Sequence, residues 1–198
     1  MGNPLLRVPA QPITIDDDAP TSPAKQDKSL YAGIIYAGSI DNSATETNEL
    51  ITDLFDTAAA TKGVGIAAPQ IGVSLQVIVI ASGPNARYPD APVCDPFAVI
   101  NPVIQWMSGE TEKDWEGCLS LPGIRGLVTR SKKIKVLGSI FPAKEPVIME
   151  YDGFIARIFQ HEIDHLQGKL FIDIVERTLD LVTEQEYAKI RAAKDSSS

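Results

Sequence analysis

The two histidines of this 198-residue chain stand four apart, as His161 and His165, with Glu162 directly after the first. On a helix that turns about 100° per residue they share one face, one turn apart, and both imidazoles can point at a single cation. Glu162 falls on the adjoining flank, near enough to hydrogen-bond a water on that ion and serve as its general base. A lone His on an apolar face favours a core imidazole hydrogen-bonded to backbone. Two at ligand spacing with a glutamate favour metal-assisted hydrolysis.

A catalytic ion of this kind needs a third protein ligand and one open position. Cys118, in Trp115-Glu116-Gly117-Cys118-Leu119-Ser120-Leu121-Pro122, is one candidate: Gly117 allows close backbone approach, and a thiolate there completes a His2Cys set. A downstream carboxylate is the other, with Glu184 or Glu186 at a workable distance in the sequence, although their surroundings read as a solvated helix face. Cys94 lies in a proline-rich stretch with no chemical signature beside it and reads as a packing or surface thiol. Two cysteines are too few for a disulfide framework in a chain of this length, which favours a reducing, cytoplasmic setting.

The elements that must position these groups are visible as periodicities. Residues 154–168 carry a broad apolar arc (Phe154, Ile155, Ile158, Phe159, Ile163, Leu166) and predict a buried helix of about four turns around the His-Glu-x-x-His face. Leu50, Ile51, Leu54, Phe55 and Ala58 predict an amphipathic helix over 44–61, capped by Ser43 or Thr45 and followed by Gly63 as the left-handed residue. A third helix is predicted over 178–193. Leu75–Ala81 reads as a strand buried on both faces, and 98–105, 134–140 and 147–151 as shorter strands, with Pro142–Lys144 as a turn. Strands placed between a first helix and a later pair predict an α+β fold of mostly antiparallel sheets around the metal-bearing helix.

A 44% hydrophobic composition suits one core, and residues 1–198 read as a single catalytic domain, with an irregular Pro/Asp-rich segment at about 9–43 and a frayed tail at about 194–198. The net charge of -8 gives no general attraction to phosphate backbones or anionic lipid, so direct sequence-specific nucleic-acid binding and membrane association are not expected. Gly63 and Gly65 do not have dinucleotide-fingerprint spacing and precede a strand. Gly65 makes better sense as a point where a substrate backbone approaches the chain as an added strand.

Three segments, Gly63-Val64-Gly65-Ile66-Ala67-Ala68-Pro69-Gln70, Glu116-Gly117-Cys118-Leu119-Ser120 and Gln160-His161-Glu162-Ile163-Asp164-His165, closely resemble in sequence and order the three signature motifs of peptide deformylases. The resemblance covers about residues 44–176. It implies removal of the N-formyl group from the formyl-methionine of newly made polypeptides, releasing formate. It further implies Cys118, His161 and His165 as ligands and Glu162 as general acid/base, with Gln70 and the Leu119 N–H as oxyanion donors. Substrate contacts would come from Val64, Gly65, Leu121 and Ile158, with Glu116 and Arg125 paired nearby. The ion implied is one Fe2+ per chain, replaceable by Zn2+, Ni2+ or Co2+, and the partners are N-formylmethionyl peptides and transiently the ribosome exit region, for which Lys132 and Lys133 offer a local basic contact. The chain departs from compact members in carrying extra sequence before residue 44, including Leu30–Tyr36. A zinc endopeptidase using Glu184 or Glu186, and a catalytically silent module that holds peptide termini, are the competing readings; formate release separates them.

Overall fold

Four consecutive β-branched residues, Val77–Ile80, form strand β2, and all four are fully buried, as a strand covered on both faces requires. It lies second in a five-stranded antiparallel sheet of order β1 (Gly65–Ala67), β2, β3 (Phe97–Met107), β6 (Lys133–Ile140) and β7 (Val147–Asp152). The computed structural model describes residues 3–14 and 44–195; the extra N-terminal sequence from residue 15 to 43, Ser43 as a cap, and the tail beyond 195 lie outside them.

Helix α1, Ala44–Thr61, has the predicted bounds. Leu50, Ile51, Leu54 and Ala58 pack onto one face of the sheet, against Ile66, Val77, Val79 and Ala98. Thr45 lies inside this helix and so does not cap it. The left-handed residue at its end is Lys62, φ 52°, and Gly63 follows with its N–H on the Ala58 carbonyl at 3.0 Å. Helix α2, Gly153–Leu166, covers the other face: Ile158, Phe159, Ile163 and Leu166 pack against Ile78, Ile80, Val99, Ile134 and Val136. Burying each of the valine, leucine, isoleucine and phenylalanine side chains among these contributes about 1.5–3 kcal/mol before chain entropy is charged. The histidine face of α2 is thereby fixed by apolar packing on both sides of it.

A second antiparallel sheet, β4 (Thr111–Cys118), β5 (Leu121–Ser131) and β8 (Leu181–Thr183), closes over α2 with Leu170 and Phe171 beneath it. The helix expected over 178–193 is shorter: a 3-10 turn at Thr178–Asp180 leads into β8, and α3 spans Glu184–Asp195. Leu181 and Val182 are claimed by ladder pairing with Gly126 and Arg125, which outweighs helix propensity in a β-branched stretch. Asn101, φ 50°, interrupts β3, and its amide holds both the N–H and the C=O of Ile13 at 2.8 Å. That tether carries residues 9–14 past the C-terminal end of α2, where Ala10 N–H meets the Leu166 carbonyl. Among the described residues no helix is long and apolar enough to cross a membrane.

Candidate active site

The β4/β5 hairpin and α2 meet at one cluster. Cys118 ends β4 at a register shift, and its Sγ lies 3.2 Å from His165 Nε2. One ligand atom from each of Cys118, His161 and His165 falls within 4.8 Å of the others. The donor atoms of a tetrahedral ion bound at about 2.0–2.3 Å stand roughly 3.3–3.6 Å apart, so one sulfur and two imidazole nitrogens at this spacing fit a divalent metal. One orphaned buried atom supports the fit: Glu162 Oε2, beside the cluster, has no protein partner. Glu184 and Glu186, the alternative third ligands, are engaged elsewhere, with Arg125 at 2.9 Å and Lys189 at 2.6 Å respectively.

A buried charge network orients the first imidazole. His161 Nδ1 lies 2.9 Å from Glu116 Oε2, which leaves Nε2 for an ion. Arg130 grips both Glu116 oxygens at 2.9 Å, and Arg157 adds a third contact at 2.9 Å while its other bonds go to the carbonyls of Val128 and Glu112. Arg130 also reaches Asp164 at 2.5 Å. Burial opposes ionisation of Glu116, but the Arg130 and His161 hydrogen bonds win and hold its carboxyl well below the usual carboxylate range. The pairing expected between Glu116 and Arg125 does not occur. Arg125 projects the other way, to Glu184 and Tyr88.

Burial likewise opposes the charge on His161, and the Cys118 sulfur and Glu116 carboxylate overcome it, raising the imidazole above its ordinary range. His165 is pushed the opposite way, by burial first and then by His161 and Arg130. Glu162 is raised to about 7, chiefly by burial. A cation at the cluster would pull it back down.

Gln70 stands on the short 3-10 turn Ala68–Ile71. Its Oε1 accepts from Ala67 N–H at 2.8 Å, which leaves Nε2 as the outward donor, 3.3 Å from Ser120 Oγ and 3.6 Å from Cys118 Sγ. The cleft in front of the cluster is bounded by Val64, Gly65, Gln70, Glu116, Leu119, Ile158, His161 and Glu162 among the anticipated residues. Leu121 is not among them: it is buried with Val128 and Phe171 in the core beneath the second sheet. Arg125 is also absent from the cleft surface, its side chain being 1% exposed. At Gly65 a Cβ would come within 2.6 Å of Glu162 Oε1 and 2.7 Å of Ile158 Cγ2, so only glycine lets β1 run this close to the helix.

The sequence reading missed Arg130, Arg157, Tyr88, Trp115 and Phe154. Arg157 had a usable signal: it precedes His161 by four residues and so shares the ligand face of α2. Arg130 follows Val128 by two on β5 and shares its inward face.

Residues 24–179 match the family model described as polypeptide deformylase. Peptide deformylase 2 of Nostoc sp. is 49% identical over 147 residues, covering 72% of this chain and 79% of that protein. Peptide deformylase 2 of Bordetella bronchiseptica is 51% identical over 126 residues, covering 64% and 71%. Among solved structures, the Met-Ala-Ser-bound class I type b peptide deformylase of Acinetobacter baumannii aligns with a TM-score of 0.71 at 35% identity, over 88% of this chain and 94% of that one. The peptide deformylase of Synechococcus elongatus in complex with actinonin aligns at 0.66 and 32%, over 90% and 79%.

Proposed function

We propose a residue-level reaction for this cleft from the premise that the chain belongs to the polypeptide deformylase family. The enzyme of that name removes the formyl group from N-formylmethionine peptides (EC 3.5.1.88). The observation that carries the proposal is the meeting of Cys118, His161 and His165 beside a buried Glu162 whose Oε2 has no partner.

Cys118, His161 and His165 would hold the divalent ion, which supplies the Lewis acidity that makes water a nucleophile near pH 7. Glu162 accepts the proton of the attacking water as the new C–O bond forms at the formyl carbon. The same carboxyl then delivers that proton to the departing amine nitrogen as the C–N bond breaks, so that formate and a free amino terminus leave. Gln70 Nε2, already aimed by the Ala67 bond, and the Leu119 N–H donate to the formyl oxygen as it gains charge. Each such donor contributes about 2.7–4 kcal/mol to the transition state.

The peptide itself would add to β1. That strand pairs on one side with β2 and lies at the edge of its sheet, an arrangement suited to strand addition. Val64, Ile158 and the His161 ring then wall the methionine side chain, with Phe154 added to that set. Gly65→Ala is expected to push Glu162 aside and lower kcat/KM by about 100-fold, the scale of an ångström's misplacement. Steady-state kinetics on a formyl peptide check this, and a wild-type value would mean that β1 has room to shift.

Fe2+ is the ion read for this site, with Zn2+, Ni2+ and Co2+ able to replace it. N-formylmethionyl peptides are the substrates, met in the cytoplasm near the ribosome exit. The test is formate release from formyl-Met-Ala-Ser by protein loaded anaerobically with Fe2+ and, separately, with Zn2+. Turnover with both, faster with Fe2+, and loss of metal and turnover together in Cys118→Ala are expected. Metal retained by Cys118→Ala refutes the ligand assignment, and Zn2+ turnover equal to or above that with Fe2+ refutes the choice of ion.

A further inference from the structure

Arg125 heads the large side chains that the fold encloses completely. It stands opposite Gly117 in the β4/β5 ladder, and its guanidinium fills the space that a Cβ at 117 would take, 2.9 Å from Cζ. From there its contacts are all directed. Nη1 donates to Tyr88 Oη at 3.1 Å and Nε donates to Glu184 Oε1 at 2.9 Å. Cζ lies 5.1 Å from the Tyr88 ring centroid and 4.9 Å from that of Tyr187.

The chain of contacts continues at both ends. Glu184 and Tyr187 belong to the first turn of α3, and the Tyr187 ring packs on Trp115 at 5.5 Å. Tyr88 packs on Phe154 at 5.2 Å and accepts the Gly117 N–H at 3.2 Å. Tyr88 lies in the connection between β2 and β3, outside any strand; a turn with Asn85 holds its backbone at 3.1–3.2 Å, and the side-chain contacts set the direction of its ring.

Stability alone is a poor account of this stack. A buried guanidinium whose carboxylate partner is 43% exposed gains little over a well-packed apolar side chain. What the guanidinium adds is its planar fork, which fixes two hydrogen bonds and two ring faces at once. Tyr88 and Trp115 both face the cleft and keep part of their surface in solvent, whereas Cys118, Glu162 and His165 are buried. The stack therefore walls the mouth of the cleft and the ligand cluster forms its floor. A peptide whose formyl group sits on the floor must leave through that mouth.

We infer that α3 takes part in reading the substrate: Glu184 and Tyr187 hold Arg125, and Arg125 holds Tyr88 against the peptide residues that follow methionine. Arg125, Glu184 and Tyr187 are positioning residues, and Tyr88 is the one that touches peptide. The inference rests on the reading of the cleft as a deformylase peptide groove.

The experiment compares wild type, Glu184→Leu, Tyr187→Leu and Tyr187→Phe by kinetics on formyl-Met-Ala-Ser and by hydrogen exchange of the 114–119 amides. Glu184→Leu, which removes the acceptor for Arg125 Nε, and Tyr187→Leu should raise KM about three- to tenfold with kcat within about twofold, and speed exchange at 114–119 about tenfold. Tyr187→Phe, which keeps the ring, should match wild type in both. Unchanged KM and exchange, even with lowered thermal stability, overturn the inference, and so does a loss confined to kcat. If Tyr187→Leu does not fold, Glu184→Leu, at a half-exposed position, decides by the same criteria. Absence of turnover in the wild type overturns the deformylase reading and the peptide contact with it. The exchange measurement then still decides whether α3 holds the cleft wall, and unchanged exchange overturns that part too.

Discussion

Glu162→Gln is expected to lower kcat by about 10²- to 10⁴-fold, the range for loss of a general acid/base, with one metal ion per chain retained. The glutamine keeps the size and planarity of the carboxyl group, so Gly65, which has no room for a Cβ beside it, has no reason to move. What is lost is proton acceptance at Oε2, the atom that no protein donor occupies. Since Glu162 is not one of the three clustered ligands, the ion has no cause to leave. The paired measurement is formate release and metal content on the same preparation. Kinetics alone would not separate a lost base from a lost ion, whereas full metal with collapsed kcat isolates the proton-transfer role. A variant keeping more than about a tenth of wild-type kcat would show that another group moves the proton.

The size of that effect also ranks the groups in the cleft. In the proposed reaction one oxyanion donor contributes about 2.7–4 kcal/mol, roughly 10²- to 10³-fold, so Gln70 and Glu162 would be comparable individually. They differ in how they are held. Gln70 is fixed locally, by a bond to Ala67 three residues away. Glu162 is fixed by the packing of α2 between two sheets; burial raises its carboxyl to about 7 in the metal-free cluster, and a bound cation would lower it from there, toward the ionised form that accepts a proton.

How much of this was legible before the structure depends on the range of the interaction. His161, Glu162 and His165 could be placed together because helix geometry alone determines their relation, and the bounds of α1 followed from its apolar spacing in the same way. The second sheet gave almost no signal. Residues Thr111–Asp114 of β4 are exposed and polar, and β5 carries a proline and two glycines, so neither shows the alternation by which a half-buried strand is recognised. Strand β8 was hidden inside an apparent helix because Leu181–Thr183 are extended only through pairing with β5, more than 50 residues earlier. The pairing of Arg125 with Glu116 came only from the resemblance to peptide deformylases, and nothing in the spacing of the two residues could test it. In the fold the hairpin directs Arg125 toward α3 and Glu116 toward α2, and the true partners of Glu116 come from β5 and from α2.

That network supplies the largest stability effect expected of any single side chain in the cleft. Arg130, Arg157, Glu116 and Asp164 set two guanidinium charges against two carboxylates, and Arg130, Arg157 and Glu116 are all buried. Glu116→Ala removes one of the two carboxylates and leaves one of the two buried guanidinium charges without a counter-charge, which costs about 3–5 kcal/mol. It also strips His161 Nδ1 of its acceptor, and loss of such an outer partner lowers metal affinity by about 10- to 100-fold. The two consequences can be measured apart. Denaturant unfolding of metal-free protein reports the charge imbalance, because no ion binding contributes to the folded state. Chelator competition on the folded protein reports the imidazole. Glu116→Gln retains a hydrogen-bonding group for Arg130 and should recover part of the stability while leaving the same net charge behind. If Glu116→Ala lost less than about 1 kcal/mol in the metal-free protein, the two arginines would have to find other acceptors or water, and the network would not be what holds the His161 ring in place.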